Sequence, residues 1–228
     1  MRLALLLGLL AGPALAQDIA SARFSQPTDR YDHAILGDAL EWGALDLTLS
    51  DGTRLRFTLP PSRVFEDIET RIADFDGDGH PEVMVVETDL ARGASLAIYD
   101  AGGKRAATPF IGQTHRWLAP SGWGDFNGDG QTEIAYVDRP HLARELVFLR
   151  YDGTALTEIA RAPGYTNHRI GDGQIWGGTR ACGGRDSLVV ASADWSRAVE
   201  ITLGPEVQAR DLGALAQPDR LDRFTGCK

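Results

Sequence analysis

The chain has 228 residues, 43% of them hydrophobic and 24% charged, and its 23 basic residues face 32 acidic ones for a formal net charge of −9. That length and apolar content suffice for one domain with a full core. The acidic balance, with lysine only at Lys104 and Lys228, leaves nothing to attract nucleic acid or an anionic membrane surface.

In chain order, Met1-Arg2 precedes an apolar run from Leu3 to Leu10 and the small-residue signal Ala14-Leu15-Ala16, so residues 1–16 read as a signal peptide. The run is too short for a bilayer of ~30 Å, which takes ~20 residues, and no second one follows, so no membrane span is expected. No cysteine sits just after the cut to carry a lipid. The expectation is an exported protein, periplasmic or secreted, folded as a single domain over residues 17–228.

Next, "RYDHAILGD" offers a strand at Ala34 to Leu36 with Asp32 ahead of it. Leu45, Leu47 and Leu49 then alternate with Asp46, Thr48 and Ser50, Asp51-Gly52 turns the chain, and Leu55, Phe57 and Leu59 alternate with Arg54, Arg56 and Thr58. That is a half-buried hairpin. Short helical segments are expected only near Arg63 to Ile68 and Gln217 to Arg223. "ADFDGDGHPEVMVVETD" is followed about 50 residues later by "GDFNGDGQTEIAYVDRP", in register from Asp74/Asp125 to Glu82/Glu133. A further hairpin, "ELVFLRY" into "ALTEIAR" through Asp152-Gly153, leads to "ACGGRDSLVVASAD" and "RAVEITL". Four units of ~50 residues, near 30–80, 81–131, 132–184 and 185–228, each with three or four short strands, predict an all-β fold, a β-propeller of about four blades.

The acidic loops have the chemistry of a hard-cation site. Calcium takes about six to eight oxygens, and a tight loop supplies them from positions 1, 3 and 5, a carbonyl at 7 and a later acid. Those positions hold Asp74, Asp76, Asp78, the His80 carbonyl and Glu82, then Asp125, Asn127, Asp129, the Gln131 carbonyl and Glu133. Gly79 and Gly130 stand where the chain must turn through positive φ. Position 12, where an EF-hand carries its glutamate, holds Val85 and Tyr136, so these are not EF-hands. Solvated turns rich in Asp and Gly are the plain alternative. Two copies in register favour the metal, about two structural Ca2+ ions, over magnesium.

With loops one blade apart, each followed by a short apolar strand, the chain resembles the VCBS and FG-GAP repeats of integrin-type β-propellers. The Phe-Gly and Gly-Ala-Pro pairs that name the FG-GAP repeat are absent, so the VCBS variant is the closer resemblance. Family propellers often have more blades than the four this chain has room for. A closed four-bladed monomer is favoured, and a part-ring completed by dimerisation is the alternative.

Counted back from Asp186, the third loop has Gly178, Arg180 and Cys182 at the ligand positions, so a guanidinium stands in for the cation's charge and no calcium is expected. The loop near Phe24 to Asp32 lacks ligands as well. Cys182 and Cys227, the only cysteines, are expected to form a disulfide in an exported protein.

Nothing in the sequence marks a catalytic residue. His33, His80, His115, His141 and His168 are scattered over the units without metal-ligand spacing, and the hydrolase, phosphate-loop and zincin motifs are missing. Turns after each blade's first strand carry acid and arginine: Asp38 with Glu41, Asp89 with Arg92, Asp138 with Arg139 and His141, Asp194 with Arg197. On a propeller these would gather around the channel as a candidate ligand face, or be salt-linked turns on a solvated rim. The favoured function is a calcium-stabilised binding module with a protein or glycan partner. The alternatives are a hydrolase or lyase at the channel mouth and a lectin stacking sugars on one of Trp42, Trp117, Trp123, Trp176 and Trp195.

Overall fold

A computed structural model describes residues 18–37 and 40–227, and the expected signal peptide lies outside them, as does Asp38. The described residues are all-β, with 3-10 helix only at Pro218–Phe224, and none of their helices is long and apolar enough to cross a membrane.

Every ladder is antiparallel, in three sheets. The first holds β1 (Ile19–Thr28), β2 (Glu41–Leu49), β3 (Arg54–Thr58), β4 (Arg63–Phe65), β5 (Arg71–Ala73), β6 (Glu82–Asp89), β7 (Gly93–Asp100) and β8 (Gly103–Ala107). A second is the meander of β9 (Leu118–Gly124), β10 (Glu133–Asp138), β11 (Glu145–Tyr151) and β12 (Leu156–Pro163). The third comprises β13 (Tyr165–Thr166), β14 (Gly178–Arg180), β15 (Ser187–Ser192), β16 (Arg197–Leu203) and β17 (Val207–Ala214).

Strand burial explains the sequence pattern. β6 and β10 are buried along their whole length, which requires apolar side chains on both faces of the ladder. Val83 and Val85 pack toward Leu45, Leu47 and Phe65, while Met84 and Val86 pack toward Ile134 and Tyr136 of the second sheet. Ala135, Val137 and Phe148 then face Leu188, Val190 and Ile201 of the third. Each large side chain so buried contributes ~1.5–3 kcal/mol relative to exposure. Outer strands such as β3 alternate between exposed and half-buried residues, as expected for a strand with one wet face. Sheets thus stack face to face in chain order. Among the described residues no apolar cluster joins the third sheet to β1–β3.

The predicted hairpins form in the expected register, with Leu47 opposite Leu55 and Tyr151 opposite Leu156. Four details differ from the sequence reading. Ala34 to Leu36 form a turn, with Ala34 at φ 50°, and Ile35 and Leu36 enter the core from it. Arg63–Phe65 is strand rather than helix, because Val64 and Phe65 are drawn into a ladder with β6. Phe24 lies inside β1, an edge strand whose weak apolar alternation hid it. The sheets change over between Ala107 and Leu118 and between Pro163 and Tyr165, offset from units bounded near 80, 131 and 184. Each acidic loop therefore connects two neighbours within one sheet.

Candidate metal centre

β5 ends at Ala73 and β6 begins at Glu82, and these two residues face each other across the ladder, so the first acidic loop is the connection of a hairpin. Asp74 folds back into it, Oδ1 accepting from Gly77 N at 2.7 Å and Oδ2 from Gly79 N at 3.0 Å. Asp76 Oδ1 accepts from Asp78 N at 3.1 Å, and Asp78 Oδ1 from His80 N at 2.8 Å. Gly77 and Gly79 hold φ of 80° and 90°, the left-handed region that a side chain would strain. One carboxylate oxygen from each of Asp74, Asp76 and Asp78 lies within 4.8 Å of the others.

Phe75, 1% exposed, anchors the loop in the core, and its N–H donates to Glu82 Oε2 at 2.9 Å. Burial pushes Glu82 up to about 7, and the charges of Asp76, Asp78 and Asp74 add to the rise. Asp76 is raised too, first by burial and then by Asp78 and Asp74. Carboxylates crowded without a counter-charge disfavour ionisation, and a divalent cation reverses that. His80 turns its ring away to Asp18, 2.7 Å from its Oδ1.

The second loop repeats the scaffold. Asp125 accepts from Gly128 N at 2.7 Å and Gly130 N at 2.9 Å, Asn127 Oδ1 from Asp129 N at 2.8 Å, and Asp129 Oδ1 from Gln131 N at 2.9 Å. Phe126 is fully buried, and its N–H donates to Glu133 Oε2 at 2.9 Å. Gly130 has φ 84°, as the sequence requires. One addition has no counterpart in the first loop: Arg150, directly opposite Glu133 on β11, ion-pairs with Glu133 Oε1 and reaches Asp129 Oδ2 at 2.9 Å. Hydrogen bonding from Gln131 N–H first, then from Asn127 and Arg150, holds Asp129 below the usual carboxylate range.

The third loop is two residues shorter. Ser187, not Asp186, takes the place of Glu133, because it faces Arg180 as Glu133 faces Gly124. Gly178 and Arg180 lie on β14, so an ungapped count misplaced the ligand positions. Arg180 pairs with Glu200 at 3.1 Å rather than standing in a cation's place. Asp186 Oδ2 accepts from Asp125 N at 3.0 Å and Arg185 Nε donates to Phe126 O at 2.7 Å, docking this loop onto the second. Cys182 and Cys227 form the expected disulfide, with Cα atoms 5.4 Å apart.

The turn acids are engaged locally. Asp89 accepts from Arg92 at 2.9 Å, Asp138 from Arg139 at 2.8 Å, Asp194 from Ser192 Oγ at 2.6 Å, and Arg197 pairs with Asp211 at 2.5 Å. Glu41, expected beside Asp38, is buried at the start of β2. Of the tryptophans, Trp117 is buried and donates from Nε1 to Glu66 O, Trp42 stacks on Phe24, Trp123 meets Phe75 edge-on, and Trp176 Nε1 donates to Asp172. Arg169 covers Trp195, its guanidinium carbon 4.6 Å from the ring centroid.

Histidines distant in sequence do meet, which sequence spacing could not show. His33 and His115 lie 5.2 Å apart by ring centroid, and His141 Nε2 is 3.0 Å from His168 Nδ1. His33 Nδ1 is 2.5 Å from Glu66 Oε1, a carboxylate with no exposed surface whose pKa burial raises. Burial, with His168 beside it, pushes His141 down to about 4. The unfolded chain takes up this proton near 6.5 and the folded chain only near 4, so stability falls as pH drops through that window. His141→Gln should remove roughly 1 kcal/mol of that loss, after discounting for partial exposure, in urea melts at pH 7 and pH 5. An unchanged difference between the two pH values would refute the assignment.

No curated protein and no solved structure matches this chain. The model of the FG-GAP-like repeat matches residues 74–136, a span that opens at Asp74 of the first loop and runs through the second loop into β10. The chain therefore carries an FG-GAP-type repeat, and its two acidic hairpin loops belong to it.

Proposed function

We propose that the protein is an exported β-rich interaction module in which calcium, held by Asp74, Asp76, Asp78 and Glu82, fixes the β5–β6 loop. The observation that carries this reading is the convergence of the three aspartates within 4.8 Å, next to a buried Glu82, with no lysine or arginine ion-paired to any of the four among the described residues. Calcium's role is structural: it neutralises acids that would otherwise repel one another and locks a surface loop into a defined shape. Export is supported by the amino-terminal apolar run and the disulfide. The face-to-face stacking of successive sheets supports a propeller, closed as a monomer or by a second copy, and the matched repeat favours the FG-GAP variant over the VCBS one. The partner, protein or glycan, would meet the loop-bearing edge of the sheets.

Hydrogen exchange tests the calcium role. Amides of residues 75–80 and of β5 and β6 should gain protection in millimolar calcium relative to EGTA, while those of β16 and β17 should not. Equal exchange throughout would overturn the reading. A catalytic reading is favoured only by the His33–Glu66 pair and the neighbouring His115 and His141. Turnover of a phosphoester or polysaccharide that is lost in His33→Ala would establish it, and a silent substrate panel would remove it.

A further inference from the structure

The two loops share one backbone scaffold but not one charge. The first presents three aspartates and a glutamate; the second replaces an aspartate with the neutral Asn127 and adds Arg150. Resting on the calcium reading of the first loop, we infer that Arg150 is the resident cation of the second loop, so that the chain takes up one calcium rather than two.

The register makes this more than a choice of rotamer. Glu133 and Arg150 are direct partners in the β10–β11 ladder, so the backbone delivers the guanidinium to the carboxylate at position 9 of the loop. From there Nη2 meets both Glu133 and Asp129, two of the four side-chain ligands calcium would need. Glu133 is fully buried, so an ion entering the loop must compete for a carboxylate already neutralised away from water. In the first loop the equivalent register position, one residue beyond the Val83–Tyr99 pair, holds Asp100, which brings no cation to Glu82 and is itself paired with Arg105 at 3.4 Å. Calcium affinity follows the charge of the ligand set. Four acids with no guanidinium favour the ion in the first loop; three acids with one guanidinium disfavour it in the second.

The test is calcium per chain on the full chain, measured by equilibrium dialysis with calcium alone as the probe. The wild type should bind one ion, Asp76→Ala none, and Asn127→Ala still one. Arg150→Gln should gain a second ion, lost again when Asn127→Ala is added. Two ions in the wild type, a lower count in Asn127→Ala, or a folded Arg150→Gln that stays at one would overturn the inference. If Arg150→Gln does not fold, the Asn127→Ala count decides. A wild type that binds none beside an Arg150→Gln that binds one would sink the first-loop reading and leave this inference standing.

Discussion

Replacing Cys182 and Cys227 together by serine should lower stability by about 4 kcal/mol, since the bond closes a loop with a sequence separation of 45 residues. For a chain of this size that is a fall in melting temperature of roughly 10 °C. The chain-entropy argument applies because the covalent link restricts the unfolded ensemble. The Cα separation of 5.4 Å falls in the usual range, so the folded state fits the bond. What the bond fastens is also clear. Leu221, fully buried in the terminal 3-10 helix, packs against Val189 and Ala191, and Asp222 accepts from Gly177 N at 2.8 Å. Such a short helix has little stability of its own. Without the bond it should detach first, seen as protease cleavage between residues 215 and 227 before the sheets melt. A double-serine variant with unchanged melting temperature and protease resistance would contradict this.

Stripping calcium should have the next largest effect. An ion that binds only the folded chain stabilises it by ~2.7 kcal/mol at one hundred times its dissociation constant, and that corresponds to roughly 5–10 °C in melting temperature. The increment between EGTA and millimolar calcium should vanish in Asp76→Ala. Asp76 is one of the proposed ligands and anchors little of the loop itself, accepting from Asp78 N–H, so the apo fold should survive its loss. Asn127→Ala should leave the increment intact, because Arg150 already balances that loop. An increment that persists in Asp76→Ala would mean that the stabilising ion sits elsewhere.

The fold was legible wherever chemistry repeated. Asp-x-Asp/Asn-Gly-Asp-Gly before an apolar strand marked both acidic loops, though not their place within one sheet, alternation gave the β2–β3 and β11–β12 hairpins, and two cysteines in a chain expected to be exported gave the disulfide. Failures came from length and phase. The third loop is two residues shorter and lacks the acidic pattern, so counting back from Asp186 put Arg180 in a loop when it belongs to β14. Ala34 to Leu36 look like a strand in composition, yet they reach the core from a turn, and local pattern cannot tell these apart. The histidines escaped because side chains distant in sequence meet only through stacking of the sheets. Arg150 was within reach of the sequence: it and Glu133 flank one β10–β11 hairpin, and register alone pairs them. Its significance emerges only when the first loop shows what is missing there.

Calorimetric titration of metal-free protein with calcium tests the central claim most directly. The account predicts a single binding event in the wild type that is abolished by Asp76→Ala. Absence of binding in the wild type, or the same isotherm in Asp76→Ala, would contradict it.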